Sequence, residues 1–178
     1  NKVVGMAGVL DTSRFKYFLS QELKVPTKKI KSLVLGGHGD TMVPMPNHTT
    51  INDKALIKMI SKDKLDQIVD RTRKGGAEII KLLEKGSAFY APAAAGVEMA
   101  ESYLKNLKKT LPCAAHLNGE YGYKNLYAGV PVVIGEKGAE KIVEIQLNKE
   151  EKENFNISIK AVKELFNAAQ KIDKDLNE

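Results

Sequence analysis

Residues 130–147 read VPVVIGEKGAEKIVEIQL. The first six form a short apolar run bounded by a turn signal, which suits a strand better than a helix. GEKG at 135–138 supplies the turn. Beyond it Val143, Ile145 and Leu147 alternate with Glu144 and Gln146, the two-residue period of a strand with one face on a core. Two strands joined so closely lie antiparallel. Upstream, LPCAAHL at 111–117 reads as another strand, and NGEYG at 118–122 is a strong turn signal. Downstream a long amphipathic helix closes the chain. Asn148 with Glu151 forms a capping-box variant, and Phe155, Ile159, Val162, Phe166, Ala169 and Ile172 mark its buried stripe. Antiparallel hairpins packed with helices imply an α+β fold.

Toward the N-terminus the same grammar continues. DTSRFKYFLSQEL at 11–23 predicts a short helix, capped by Asp11 or a neighbouring hydroxyl and ended before Pro26. IKSLVLGGHG and DTMVPM, over 30–45, predict two short strands around a glycine turn. DKALIKMI at 53–60 predicts a short helix, and Ser61 caps a longer one over 62–86. Gly75 and Gly76 interrupt that second helix and imply a kink or the close packing of another element. Pro92 suits the first turn of a further helix through AAAGVEMAESYLKNL at 93–107. Its small residues would permit close backbone approach.

The chain has 178 residues, 43% hydrophobic and 28% charged, enough for one domain with a sizeable core. No apolar run approaches the roughly 20 residues that cross a bilayer, and no signal peptide is visible. Cys113 is the only cysteine, which suits a reducing, cytoplasmic compartment. The net charge of +6 is spread among glutamates, aromatics are 6%, and no nucleic-acid-binding signature occurs. A mixed-charge surface that gathers small anions is expected instead of one that binds nucleic acid. The chain opens on Asn1 and enters the apolar run VVGMAGVL directly, which implies upstream sequence.

VLGGHGDTMVP at 34–44 carries the chemistry. Gly36, Gly37 and Gly39 let the backbone turn sharply around His38, whose imidazole exchanges a proton near neutral pH. Asp11 and Arg14 are three apart, so a helix presents them on one side. An aspartate fixes a histidine's tautomer and stabilises its imidazolium. An arginine offers a fork that matches a carboxylate with two parallel bonds. Proton exchanger, orienter and clamp together suit a hydroxy acid. Taken one at a time, His38 could be a hydrogen-bonded structural histidine, Asp11 a helix cap, and Arg14 a surface ion pair. No metal site is expected, because His38, His48 and His116 lie far apart in sequence and no H-E-x-x-H occurs. Cys113 and His116, three apart on a strand, would point to opposite faces. That disfavours a thiol nucleophile. Ser13 reads as a helix-start hydroxyl.

GVLDTSRF, VLGGHGDTMVP, GSAFYAPAAA and GEYGYKNLYAGVPVVIG, in that order, resemble consecutive motifs of the malate dehydrogenase family of the lactate-dehydrogenase-like type. The resemblance covers essentially the whole chain and corresponds to the family's C-terminal, substrate-binding half. It implies that residues 1–178 form a single substrate-binding domain, with the NAD-binding Rossmann domain outside the chain. No G-x-G-x-x-G opens a helix here. By the resemblance His38 is the catalytic acid/base, Asp11 its partner, and Arg14 the binder of the substrate carboxylate. Ala88 lines the substrate pocket, and Pro92 lies near the nicotinamide. The implied reaction is reversible oxidation of (S)-malate to oxaloacetate by hydride transfer to NAD. The implied assembly is a homo-oligomer, dimer or tetramer. The chain alone is expected to be inactive. Lactate-specific relatives usually carry a hydroxyl at the position of Ala88, which favours malate. A lactate or other 2-hydroxyacid dehydrogenase half, or a non-catalytic binding or oligomerisation module, are the competing readings.

Overall fold

The computed structural model describes residues 2–177. Helix α1 (Ala7–Leu23) begins four residues before Asp11, and its N-cap, Met6, makes no side-chain cap bond. Tertiary packing sets this start. Gly5 pairs with Ala114 through hydrogen bonds of 2.8 and 2.9 Å, and a Cβ on Gly8 would overlap the Pro112 carbonyl oxygen. Asp11 is therefore a buried residue inside the helix, not the cap that its neighbours suggested.

Five short strands follow: β1 (Ile30–Lys31), β2 (Val34–Leu35), β3 (Val43–Pro44), β4 (Thr50–Ile51) and β5 (Lys54–Ala55). β2 and β3 form the hairpin expected around the glycine turn, with Val34 opposite Pro44 and Leu35 opposite Val43. β1, β4 and β5 make a separate antiparallel sheet. The helix expected over 53–60 does not form. Asn52 and Asp53 both adopt positive φ, 48° and 63°, and close the β4–β5 hairpin; Leu56–Lys58 is a single 3-10 turn. Asn and Asp tolerate that left-handed geometry, so turn chemistry overrides a short helical period.

Helix α2 (Lys62–Leu83) carries the predicted Ser61 at its N-cap and runs unbroken through Gly75 and Gly76. Of the two expectations there, close packing holds: a Cβ on Gly75 would lie 3.2 Å from Arg14 Cδ. Helix α3 (Tyr90–Leu104) has Pro92 in its first turn. Its small residues divide: Ala93, Ala94 and Ala100 are exposed, whereas Ala95 is buried and Ala91 packs against the core.

The main sheet consists of β6 (Lys109–Asn118), β7 (Lys124–Gly135) and β8 (Gly138–Ile142), in that order and all antiparallel. The β8 ladder stops at Ile142, short of the expected strand. The alternation continues past it, because Ile145 and Leu147 pack against the core while Glu144 stays exposed. Helix α4 (Lys149–Ile172) has the full capping box: Asn148 Oδ1 accepts from the Glu151 amide, and Glu151 Oε2 accepts from the Asn148 amide, both at 2.9 Å. Phe155 and Ile159 are buried in the sheet core. Phe166 and Ile172 are exposed, because β3 and β7, the strands against which α4 packs, cover only the first half of the stripe.

Two hydrophobic clusters result. One joins the main sheet to α3 and α4; the other joins α2 to the small β1–β4 region. Helix α1 spans both, giving Val9 and Leu10 to the first and Phe15, Phe18 and Leu19 to the second. Asp11 and Arg14 stand on α1 where the clusters meet.

Candidate active site

His38 Nδ1 lies 2.9 Å from Asp11 Oδ2. A carboxylate only accepts, so Nδ1–H is the donor and Nε2 is the free nitrogen. The other oxygen, Asp11 Oδ1, faces Arg14 Nη1 at 3.6 Å, an ion-pair distance beyond hydrogen bonding. Asp11 therefore sits between a titratable imidazole and a permanent cation. The Asp11 side chain is 3% exposed and that of Arg14 9%, whereas that of His38 is 50% exposed. Hydrogen bonding to Asp11 holds the His38 pKa above the ordinary 6.5, although burial and the Arg14 charge pull it down.

Three elements fix the histidine loop. Thr12 Oγ1, on α1, accepts from the Val34 amide at 2.9 Å. Gly36 exchanges two backbone hydrogen bonds with Gly129 of β7, at 2.8 and 2.9 Å. The Gly37 amide donates to Ser158 Oγ of α4 at 2.8 Å. Gly36 has φ +85°, a conformation that favours glycine. Thr12 and Ser158 gave no sequence signal as supports, since Ser158 is distant in the chain and both are ordinary helix hydroxyls.

Two hollows touch these residues. One, of about 190 Å³, is lined by Gly8, Asp11, Gly37, His38 and Val162 among others. The second, of about 370 Å³, is lined by Ser13, Arg14, Phe18, Arg71, Gly75 and Ala91 among others. Among the described residues the buried side-chain polar atoms without a hydrogen-bond partner are Asp11 Oδ1 and Arg14 Nε. The Arg14 side chain lines the second hollow, and its guanidinium is a cation suited to an anionic ligand.

The structure thus brings His38, Asp11 and Arg14 together. Ala88 is half-buried in the connection between α2 and α3, Pro92 is half-buried on α3, and neither lines either hollow. The other histidines have separate partners: His48 Nε2 lies 3.5 Å from Glu151 Oε2, and His116 meets the Tyr127 ring edge-on. Cys113 is buried, its thiol pushed up to about 12 by desolvation, while His116 is exposed on the opposite face. The Ser13 hydroxyl donates to the Val9 carbonyl at 2.9 Å, inside the helix and not at its start. Among the described residues no three metal-ligating side chains gather, and no helix is long and apolar enough to cross a membrane.

Residues 8–173 match the family described as lactate/malate dehydrogenase, alpha/beta C-terminal domain, and the chain belongs to that family. Within it, the chain is 63% identical over 182 positions to the malate dehydrogenase of Pelagibacter ubique (strain HTCC1062), covering 99% of this chain and 57% of that protein. The malate dehydrogenase of Salinibacter ruber superposes with a TM-score of 0.93 at 43% identity, over 97% of this chain and 56% of that one. The lactate dehydrogenase of Eimeria maxima, solved with NADH and oxamate, superposes with a TM-score of 0.92 at 39% identity, over 96% and 55%. The chain spans little more than half the length of these relatives.

Proposed function

We propose that the chain is the substrate-binding half of an NAD-dependent malate dehydrogenase. The observation that carries the reading is Asp11 placed between His38 and Arg14, with one oxygen toward each. The 63% identity to the malate dehydrogenase of Pelagibacter ubique favours malate over lactate.

The donor set fits a nicotinamide partner. It holds a proton carrier and a carboxylate clamp, and no side chain in it can take a hydride. A nicotinamide ring, when bound, supplies the acceptor or donor of the hydride that leaves or reaches C2. Pro92 would be this chain's contact with it, and a dinucleotide-binding half outside this chain would hold the remainder. Arg14 binds the carboxylate next to C2 with its fork and orients the hydroxyl toward His38. His38 Nε2 takes the hydroxyl proton as C2–O becomes a carbonyl, and returns it in reduction. Asp11 stabilises the imidazolium so formed. An anionic substrate adjoining Arg14 further favours the protonated ring, which keto-acid reduction needs. Ala88, which lines neither hollow of this chain, would face the substrate pocket in the complete protein without adding a hydroxyl. The protein works as a homo-oligomer, dimer or tetramer, and exposed Leu82, Phe89, Tyr90, Val97 and Leu104 are apolar surface for the upstream half or a second subunit to cover. It works in a reducing cytoplasm, where Cys113 stays a thiol.

The chain by itself should not bind NADH at micromolar concentration. In the complete protein, NADH oxidation with oxaloacetate should exceed that with pyruvate, and His38→Asn should lower turnover by at least about a hundredfold with NADH affinity kept. Undiminished turnover in that variant would overturn the reading, and a preference for pyruvate would assign the lactate reaction.

A further inference from the structure

We propose that Ser158, in the last helix, is a positioning residue that holds the His38 loop for proton transfer. The inference rests on the reading of His38 as the proton carrier.

Ser158 is fully buried, and its Oγ accepts from the Gly37 amide at 2.8 Å, one residue before His38. A serine inside a helix commonly bonds back to its own preceding turn; this one reaches across to a loop 121 positions earlier in the chain. The fit is close. A Cβ on Gly36 would overlap the Ser158 hydroxyl, and one on Gly37 would lie 2.7 Å from Val162 Cγ2. Two glycines therefore seat the loop directly on α4. On its other side the loop is tied to β7 by the Gly36–Gly129 bridge.

The half-exposed ring of His38 has little packing of its own. Its direction is set by its bond to Asp11 and by the backbone from which it projects. The charged groups that act on it are Asp11 and Arg14, both from α1. Helix α4 brings the Ser158 hydroxyl and Val162 to the same place. Replacing Ser158 with alanine leaves the Gly37 amide without its acceptor. A part-buried donor then seeks another partner, and the loop shifts to find one. The His38–Asp11 bond weakens as it does so, and with it the hold on the ring proton. Arg14, on α1, keeps its place.

The test is an NMR titration of His38, His48 and His116 in the protein and in its Ser158→Ala and Asp11→Asn variants. In Ser158→Ala the His38 pKa should fall partway toward its value in Asp11→Asn. His48 and His116 should titrate as before, and Gly37 amide exchange should quicken about three- to tenfold. In the complete protein kcat for oxaloacetate reduction should drop about tenfold or more while KM is retained. An unmoved His38 titration, a parallel shift of all three histidines, or a Gly37 amide unprotected in the parent would each overturn the proposal. A parent without dehydrogenase activity would instead defeat the malate reading, with the titration still deciding whether Ser158 holds the loop.

Discussion

Arg14 projects from the interior of α1 with nine-tenths of its side chain buried, whereas His38 projects from a glycine loop with half of its ring in solvent. Both meet Asp11, one at each carboxylate oxygen. Arg14 is fixed by its helix and by α2 pressing on it at Gly75. His38 is fixed by backbone bonds from Gly36 and Gly37. In the proposed reaction, a cation that binds a substrate carboxylate in every cycle gains from rigidity. In the same proposal, a ring that meets a hydroxyl and then a carbonyl needs one free nitrogen facing outward. Changes at Arg14 should therefore act on affinity, and changes around His38 on proton handling.

The largest effect should come from Arg14→Lys. Lysine keeps the charge and loses the two-bond fork, at a cost of about 2–5 kcal/mol in dicarboxylate binding. Competition by a dicarboxylate inhibitor in the complete protein measures it. Binding within twofold of the parent would reduce Arg14 to a structural counter-ion of Asp11 and erase the contrast between the two residues.

The same contrast explains what could be read in the chain beforehand. The β6–β7 region was legible because its strands are long and their turns explicit. The α4 capping box was legible because both of its members are local in sequence. Asp11 and Arg14 were paired by helical spacing, but the helix that carries them starts at Ala7 because Gly8 packs on Pro112, a contact with no local signature. The Asn52–Asp53 turn was missed for a related reason. Positive φ at both residues, which closes a hairpin, is invisible in a window that also fits a helical period. The exposed end of α4 shows the limit of periodicity, since the stripe through Phe166 and Ile172 continues where no partner element reaches it. Ser158 and Thr12 support the loop from helices whose sequence says nothing of what they face.

A smaller effect isolates the α4 side. Asn148→Ala removes the side-chain acceptor of the capping box and should cost about 0.5–2 kcal/mol in denaturant unfolding. Dicarboxylate affinity should stay unchanged, because Arg14 is held by α1 and α2. A loss of affinity in step with stability would mean that clamp and loop are not held independently.

The smallest expected effect is the pH dependence of folding that His38 contributes. Its folded pKa is raised above the ordinary value of 6.5 by the hydrogen bond to Asp11. A group raised on folding stabilises the native state when protonated. The contribution is therefore complete below the unfolded value near 6.5 and fades as pH rises through the raised folded value. Because the ring is half exposed, solvent and salt screen the pairing and keep the contribution small. Denaturant unfolding at about pH 5.5 and about pH 8.5, in the parent and in His38→Asn, removes every other titration by difference. The parent's advantage over the variant should be greater at the lower pH and shrink at the higher. Added salt should narrow that gap, while the buried Asp11–Arg14 contact, shielded from the solvent, should respond less. A parent-minus-variant difference that is flat across this range would mean that His38 gains no proton affinity on folding, and that Asp11 serves Arg14 alone.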